Sequence, residues 1–140
     1  MNRIRILPLV LVLPSCAGGP KTASELSALS VEQLIEEATS PAARSADYLR
    51  FDPAYRPMVL REIQKRLGWT DVEHEKVVQR TVWIGATEQQ VLCSWGYPRT
   101  ASKHVSAGGV VKHWRFGDLQ SVYTMVAFRD GRVTDWTRSS

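Results

Sequence analysis

Asp130-Gly131, set between strand-forming runs in "SVYTMVAFRDGRVTDWT", is the feature that most narrows how this chain can fold. The dipeptide favours positive φ at both central positions and turns one strand back antiparallel on the next. Gly108-Gly109 in "RTASKHVSAGGVVKHWRF" reads as a second two-residue turn. That register sets Val105 opposite Lys112, His104 opposite His113 and Lys103 opposite Trp114. One face then carries Ala101, Val105, Val110, Trp114 and Phe116, and the other His104, Val111, His113 and Arg115. "GDLQ" is the turn into the following strand, which is apolar on both sides: Val122, Val126 and Phe128 against Tyr123, Met125 and Ala127. Such a strand belongs inside a sheet covered on both faces. The region is expected to be a three-stranded antiparallel meander. Its second face is to be covered by the helices before residue 68 or by another protein, and apolar area left open would be an interaction site.

The preceding residues read as helices. Ser30-Val31-Glu32-Gln33, Thr70-Asp71-Val72-Glu73 and Thr87-Glu88-Gln89-Gln90 are capping boxes, in which the hydroxyl accepts from the third helical amide and the acid or amide reaches back. They open helices to about Ala38, Arg80 and Trp95. Residues 39–48 read as a loop. Asp52-Pro53 looks like an N-cap with Pro in the first turn, and Leu60, Ile63 and Leu67 follow at helical spacing until Gly68. In "VWIGATEQQVLCSWGYPRT", Gly85 breaks an apolar run, and Gly96 with Pro98 ends a two-turn helix buried through Val91, Leu92 and Trp95. A helix this short is marginal alone and must be docked. The fold class is α+β, with N-terminal helices packed on the C-terminal meander.

"MNRIRILPLVLVLPSC" joins basic residues (Arg3, Arg5) to an apolar stretch, Ile6 to Leu13, too short to span a bilayer. This is the architecture of a secretory signal. Leu13, Ser15 and Cys16 resemble a bacterial lipobox, in which the Cys becomes the lipidated first residue; Pro14 stands where that motif has a small or branched residue. Cleavage after Ala17 is the alternative. The expected organisation is a signal peptide at 1–15, lipid anchor and flexible tether at 16–28, helical segment at 29–80, and a helix-plus-sheet unit at 81–140. Ala17, rather than Asp, after the Cys resembles Gram-negative sorting to the outer membrane, at its periplasmic face. A soluble periplasmic protein is the alternative. With Cys16 in the anchor, Cys93 has no partner for an internal disulfide and reads as a small buried thiol.

Charge separates the two ends. The chain carries 18 basic and 14 acidic residues, and the first fifteen residues hold two of the basic ones. Residues 17–98 carry nine basic and eleven acidic side chains, whereas 99–140 carry seven and three. The small net charge argues against a nucleic-acid binder. The basic sheet region suits an acidic protein partner or anionic lipid headgroups. Arg99, Lys103, Lys112, Arg115, Arg129 and Arg132 are the candidate contacts.

Residues 83–140 resemble the small envelope lipoproteins of the BamE (SmpA/OmlA-type) family. The resemblance lies in "IGATEQQVLCSWGYP", in a hairpin ending in "HWRF", and in an aliphatic strand running into "FRDGRV". Gly85, Thr87, Val91, Gly96, Pro98, Trp114, Phe116, Phe128, Gly131 and Val133 occupy the family's positions, while Ala86 and Trp95 replace its usual Met and Leu. The resemblance implies helices on an antiparallel sheet and an accessory role in outer-membrane β-barrel assembly.

Chemistry is expected to be absent. A zinc site takes three or four ligands, and His104 with His113 have no third ligand adjacent in sequence. His74 sits among Glu73, Glu75 and Lys76 and reads as a solvated helix residue. Asp135 is expected on the Val126 side, paired with Arg132 or Lys112. The favoured reading is a non-enzymatic scaffold or modulator of a protein complex, without cofactor, metal, nucleic acid or small-molecule substrate. A binding module resembling β-lactamase inhibitor proteins is the alternative, and would expose Trp114, Trp136 and Tyr123. A metal-dependent enzyme using His104 and His113 is a third.

Overall fold

The structure, a computed structural model, describes residues 20–40, 52–117 and 122–139. The signal-like start, Cys16, the loop at 41–48 and most of the "GDLQ" turn lie outside the described residues. Five helices are described, α1 (Ala23–Ser27), α2 (Val31–Thr39), α3 (Tyr55–Leu67), α4 (Asp71–Val78) and α5 (Glu88–Trp95), followed by strands β1 (Thr100–Ser106), β2 (Gly109–Gly117), β3 (Tyr123–Arg129) and β4 (Arg132–Ser139). The three expected capping boxes form, at Ser30, Thr70 and Thr87.

Within the segment 16–28, expected as lipid anchor and flexible tether, a fourth box sets a short helix at Ala23–Ser27. Thr22-Ala23-Ser24-Glu25 opens α1, with Glu25 N–H donating to Thr22 Oγ1 at 3.3 Å and Thr22 N–H to Glu25 Oε2 at 2.7 Å. Leu26 is buried, and Arg66 of α3 donates to the carbonyls of Ser27 (2.7 Å) and Leu29. The start of α3 also differs. Asp52 forms an Asx turn, its Oδ1 accepting from Ala54 N–H at 2.9 Å, so Pro53 precedes the helix instead of opening it. Gly68 ends α3 at φ 68°, as expected. Leu67 points outward.

His74 is buried, only 5 % exposed, which overturns its reading as solvated. Its Nε2 has no hydrogen-bond partner. Charged neighbours in the sequence concealed an inward position on α4.

The sheet is antiparallel with four strands, not three, in the order β1-β2-β3-β4. Each hairpin contributes two full strands. β1 is exposed along its whole length and shows no buried stripe. The first turn falls at Ala107-Gly108, so Val105 faces Val110, Lys103 faces Lys112 and Ala101 faces Trp114. His104 lies opposite Val111 and His113 opposite Ser102, so the two histidines are not a cross-strand pair. The shift from the expected register is two residues, which leaves every side chain on its expected face. Asp130 explains the shift. It donates its N–H to Val110 O (2.9 Å), and its carboxylate accepts from Val110 N–H (3.1 Å). Gly109, at φ 111°, lies so close that a Cβ there would meet Asp130 Oδ1 at 2.9 Å.

Asp130 and Gly131 both adopt positive φ, 50° and 81°, as their hairpin turn requires. Beyond them a bulge changes the pairing: Phe128 faces Val133, but Ala127 faces Asp135 and Val126 faces Trp136. Asp135 therefore turns away from the Val126 side. Its expected partners are engaged elsewhere, Lys112 with Glu88 (2.7 Å) and Arg132 with the Gly85 carbonyl (2.8 Å).

Two cores result. The first joins Leu26, Leu34, Ile35, Tyr55, Val59, Leu60, Ile63, Trp69, Val77 and Cys93 among the helices. The second joins Val82, Ala86, Val91, Trp114, Val126, Phe128 and Val133 against one sheet face. Helix α5 belongs to both, through Cys93 on one side and Val91 on the other, and Trp83 and Leu92 touch both cores. The docking demanded by so short a helix is thus two-sided. Residues of the opposite sheet face, including Val111, Tyr123, Met125 and Ala127, join neither core.

Candidate binding cleft

The segment that crosses from α4 to α5 and on to β1 builds one side of a cleft. Helix α4 ends in paired turn bonds, Arg80 N–H to Val77 O (3.0 Å) and Thr81 N–H to Lys76 O (2.9 Å). This is the Schellman arrangement, whose left-handed position is usually glycine. Here Arg80 occupies it, at φ 57°. The Trp95 indole N–H donates to the Arg80 carbonyl at 2.9 Å, and Ser94 Oγ donates to Thr81 O at 3.1 Å. The end of α5 is thereby fixed to the end of α4. Gly96 then reverses the chain at φ 86° and ψ −166°, a region open essentially to glycine alone. It sends Tyr97 and Arg99 along the same rim, and Arg99 N–H donates to Arg115 O at 2.7 Å.

The other side comes from the sheet. Phe116 on β2, Val122 just before β3, Thr124 on β3 and Arg138 on β4 complete a cleft of about 790 Å³ that is open to solvent. Trp95 meets Phe116 edge to face at 5.4 Å between centroids. Arg138 is brought here because β4 pairs it with Thr124. Three arginines, Arg80, Arg99 and Arg138, therefore line one aromatic-lined space without a carboxylate among its described lining residues. None of the three makes a side-chain hydrogen bond or ion pair among the described residues. A guanidinium presents a fixed fork of donors suited to carboxylates and phosphates, and it remains charged at any working pH.

The basic residues expected from the sequence do not converge. Arg99 alone lines this cleft. Lys112 is paired with Glu88, Arg132 is held by Gly85 O, and Arg129 donates to Gly108 O at 3.2 Å. Arg115 stacks over the Tyr123 ring at 3.9 Å on the opposite sheet face. Lys103 is exposed on β1. Arg80 and Arg138 were not among the expected contacts. The missing glycine after α4 is the sequence signal for Arg80; Arg138 carries none, because the bulge and the pairing to Thr124 place it.

The aromatic residues expected to form one exposed face are separated. Trp114 is buried beneath α5, packed on Phe128 at 4.5 Å, Tyr123 is half-buried beside Arg115, and only Trp136, 40 % exposed, is open. Among the described residues, no group of three or more His, Cys, Asp or Glu is placed to hold a metal. No helix among them is long and apolar enough to cross a membrane. No protein-family model matches the chain, and no curated protein or solved structure matches it at a significant level.

Proposed function

We propose that this is a non-enzymatic, lipid-anchored envelope protein that docks a partner in a protein complex at the periplasmic face of the outer membrane. The carrying observation is the cleft in which Arg80, Arg99 and Arg138 stand without partners among the described residues, beside Trp95, Tyr97 and Phe116. Clustered arginine and aromatic side chains are the residue types that dominate binding hot spots. Arginine is also a poor general acid or base, so this set suits recognition better than proton transfer. The signal-like start with Cys16 supports a membrane anchor. The resemblance of residues 83–140 to BamE-type lipoproteins supports a helix-on-sheet accessory subunit, with β-barrel assembly as the specific complex. Crosslinking in intact cells, followed by purification of the chain, tests this. Recovery of barrel-assembly components supports the specific role, and their consistent absence rejects it. The mass of the mature protein, compared with that of Cys16→Ser, tests the anchor.

A further inference from the structure

We infer that the Arg80/Arg99/Arg138 cleft takes an extended acidic peptide segment of the partner protein, one in which carboxylates alternate with at least one aromatic or large aliphatic side chain. The inference rests on the docking reading above and names the chemistry of what is docked.

Three observations select this ligand class. The three guanidiniums have no partner among the described residues, so an anionic ligand meets donors that need not first break an internal ion pair. Between them the lining is apolar and aromatic: Trp95, Tyr97, Phe116 and Val122. A small inorganic anion would leave those surfaces wet, whereas a segment with alternating side chains reaches both arginines and rings. The cleft is also open to solvent and not an enclosed cavity. A loop or tail of a larger protein can therefore reach it.

The backbone of the site reinforces this. Arg80 is held in a left-handed conformation that a side chain other than glycine adopts at a cost, and its carbonyl is clamped by Trp95 Nε1. The Arg80 backbone and the Trp95 indole are thus fixed relative to each other before anything binds. An indole already held in place loses less freedom on binding than a mobile side chain.

The test uses the full mature chain in detergent and a fluorescein-labelled peptide of alternating Glu and Phe, with a Gln-for-Glu counterpart. The acidic peptide is expected to bind about tenfold or more tightly than its neutral counterpart, and the binding to weaken with added salt. Arg99→Gln and Arg138→Gln, both at exposed positions, are each expected to weaken it about tenfold while melting like the parent chain. Tyr97→Ala, which removes no charge, is expected to weaken the acidic and neutral peptides alike. Failure of the acidic peptide to bind, or binding indifferent to both arginine variants, overturns the inference. So does displacement by inorganic phosphate at concentrations near that of the peptide, which marks a small-anion site. Arginine-dependent binding to anionic phospholipid vesicles without peptide binding overturns it in favour of a lipid headgroup. A partner crosslinked in cells whose contacts map away from the cleft would leave the docking reading standing and remove this inference. Specific peptide binding without any cellular partner would do the reverse.

Discussion

The Arg56 guanidinium donates to the carbonyl oxygen of Cys93 at 2.7 Å, across thirty-seven residues of sequence. The same side chain donates to Val77 O and Val78 O, each at 3.0 Å. One buried arginine on α3 thus satisfies carbonyls at the C-terminal ends of both α4 and α5, where the helix dipoles favour a positive charge.

Replacing Arg56 should therefore destabilise the protein more than its size suggests. Arg56→Leu is expected to cost about 3 kcal/mol, because buried carbonyls lose a charged donor. Arg56→Lys should cost about 2 kcal/mol, since a point charge on a flexible stem cannot replace a fork that spans two helix ends. Urea denaturation at pH 7 measures both, and a midpoint unchanged in either variant would contradict the arrangement.

Arg80→Gly is expected to act in the opposite direction. Glycine occupies the left-handed region without steric penalty, so the variant should gain about 1 kcal/mol of stability. It should also weaken binding of an acidic peptide. A thermal melt paired with a titration reads both signs, and joint loss of stability and binding would refute the account.

The Cys93 thiol is pushed up to about 12, chiefly by burial, with Arg56 opposing the shift. At pH 8 its thiolate fraction is then only about one in ten thousand. Iodoacetamide should leave Cys93 unmodified in the native protein and label it in urea, as read by peptide mass spectrometry. Rapid native labelling would show that the first core opens readily.

His74 gives the fold an acid-sensitive element. Burial, then the charge of Arg61 on α3, lowers its affinity for a proton below the ordinary value of 6.5, while Glu75 and Asp71 oppose the shift. The unfolded chain therefore binds this proton more readily than the folded one. Stability is fully present above pH 6.5 and declines as pH falls from there toward the lower folded value. His74→Leu should show a smaller drop in melting temperature between pH 7 and pH 5 than the parent chain. Equal drops would assign the acid sensitivity to other groups.

Much of the fold follows from local sequence rules because several of its elements are locally specified. Ser30, Thr70 and Thr87 each carry their helix start within four residues, and Asp130-Gly131 carries its turn in two. Thr22 and Glu25 obey the same capping rule and were obscured by the flexible-looking residues before them. The turn at Ala107-Gly108 was not local. Two adjacent glycines permit either placement, and the choice is made by Asp130, twenty residues away, reaching Val110. The bulge that turns Trp136 toward Val126 has no local signal in the hairpin either. The cleft was legible only in part for the same reason. Arg99 stood out among the basic residues of the last third, whereas Arg80 is placed by a helix end that lacks its usual glycine and Arg138 by its pairing to Thr124, and charge counts treat all exposed arginines alike.

Helix α5, shared by both hydrophobic clusters, removes any natural seam between the helical half and the sheet half. Cutting the chain near residue 81 would strip Cys93 from one fragment's interior and leave the first half with an unfilled socket. Neither piece should persist alone, and a force or protease acting on one half should bring down the other in a single cooperative event.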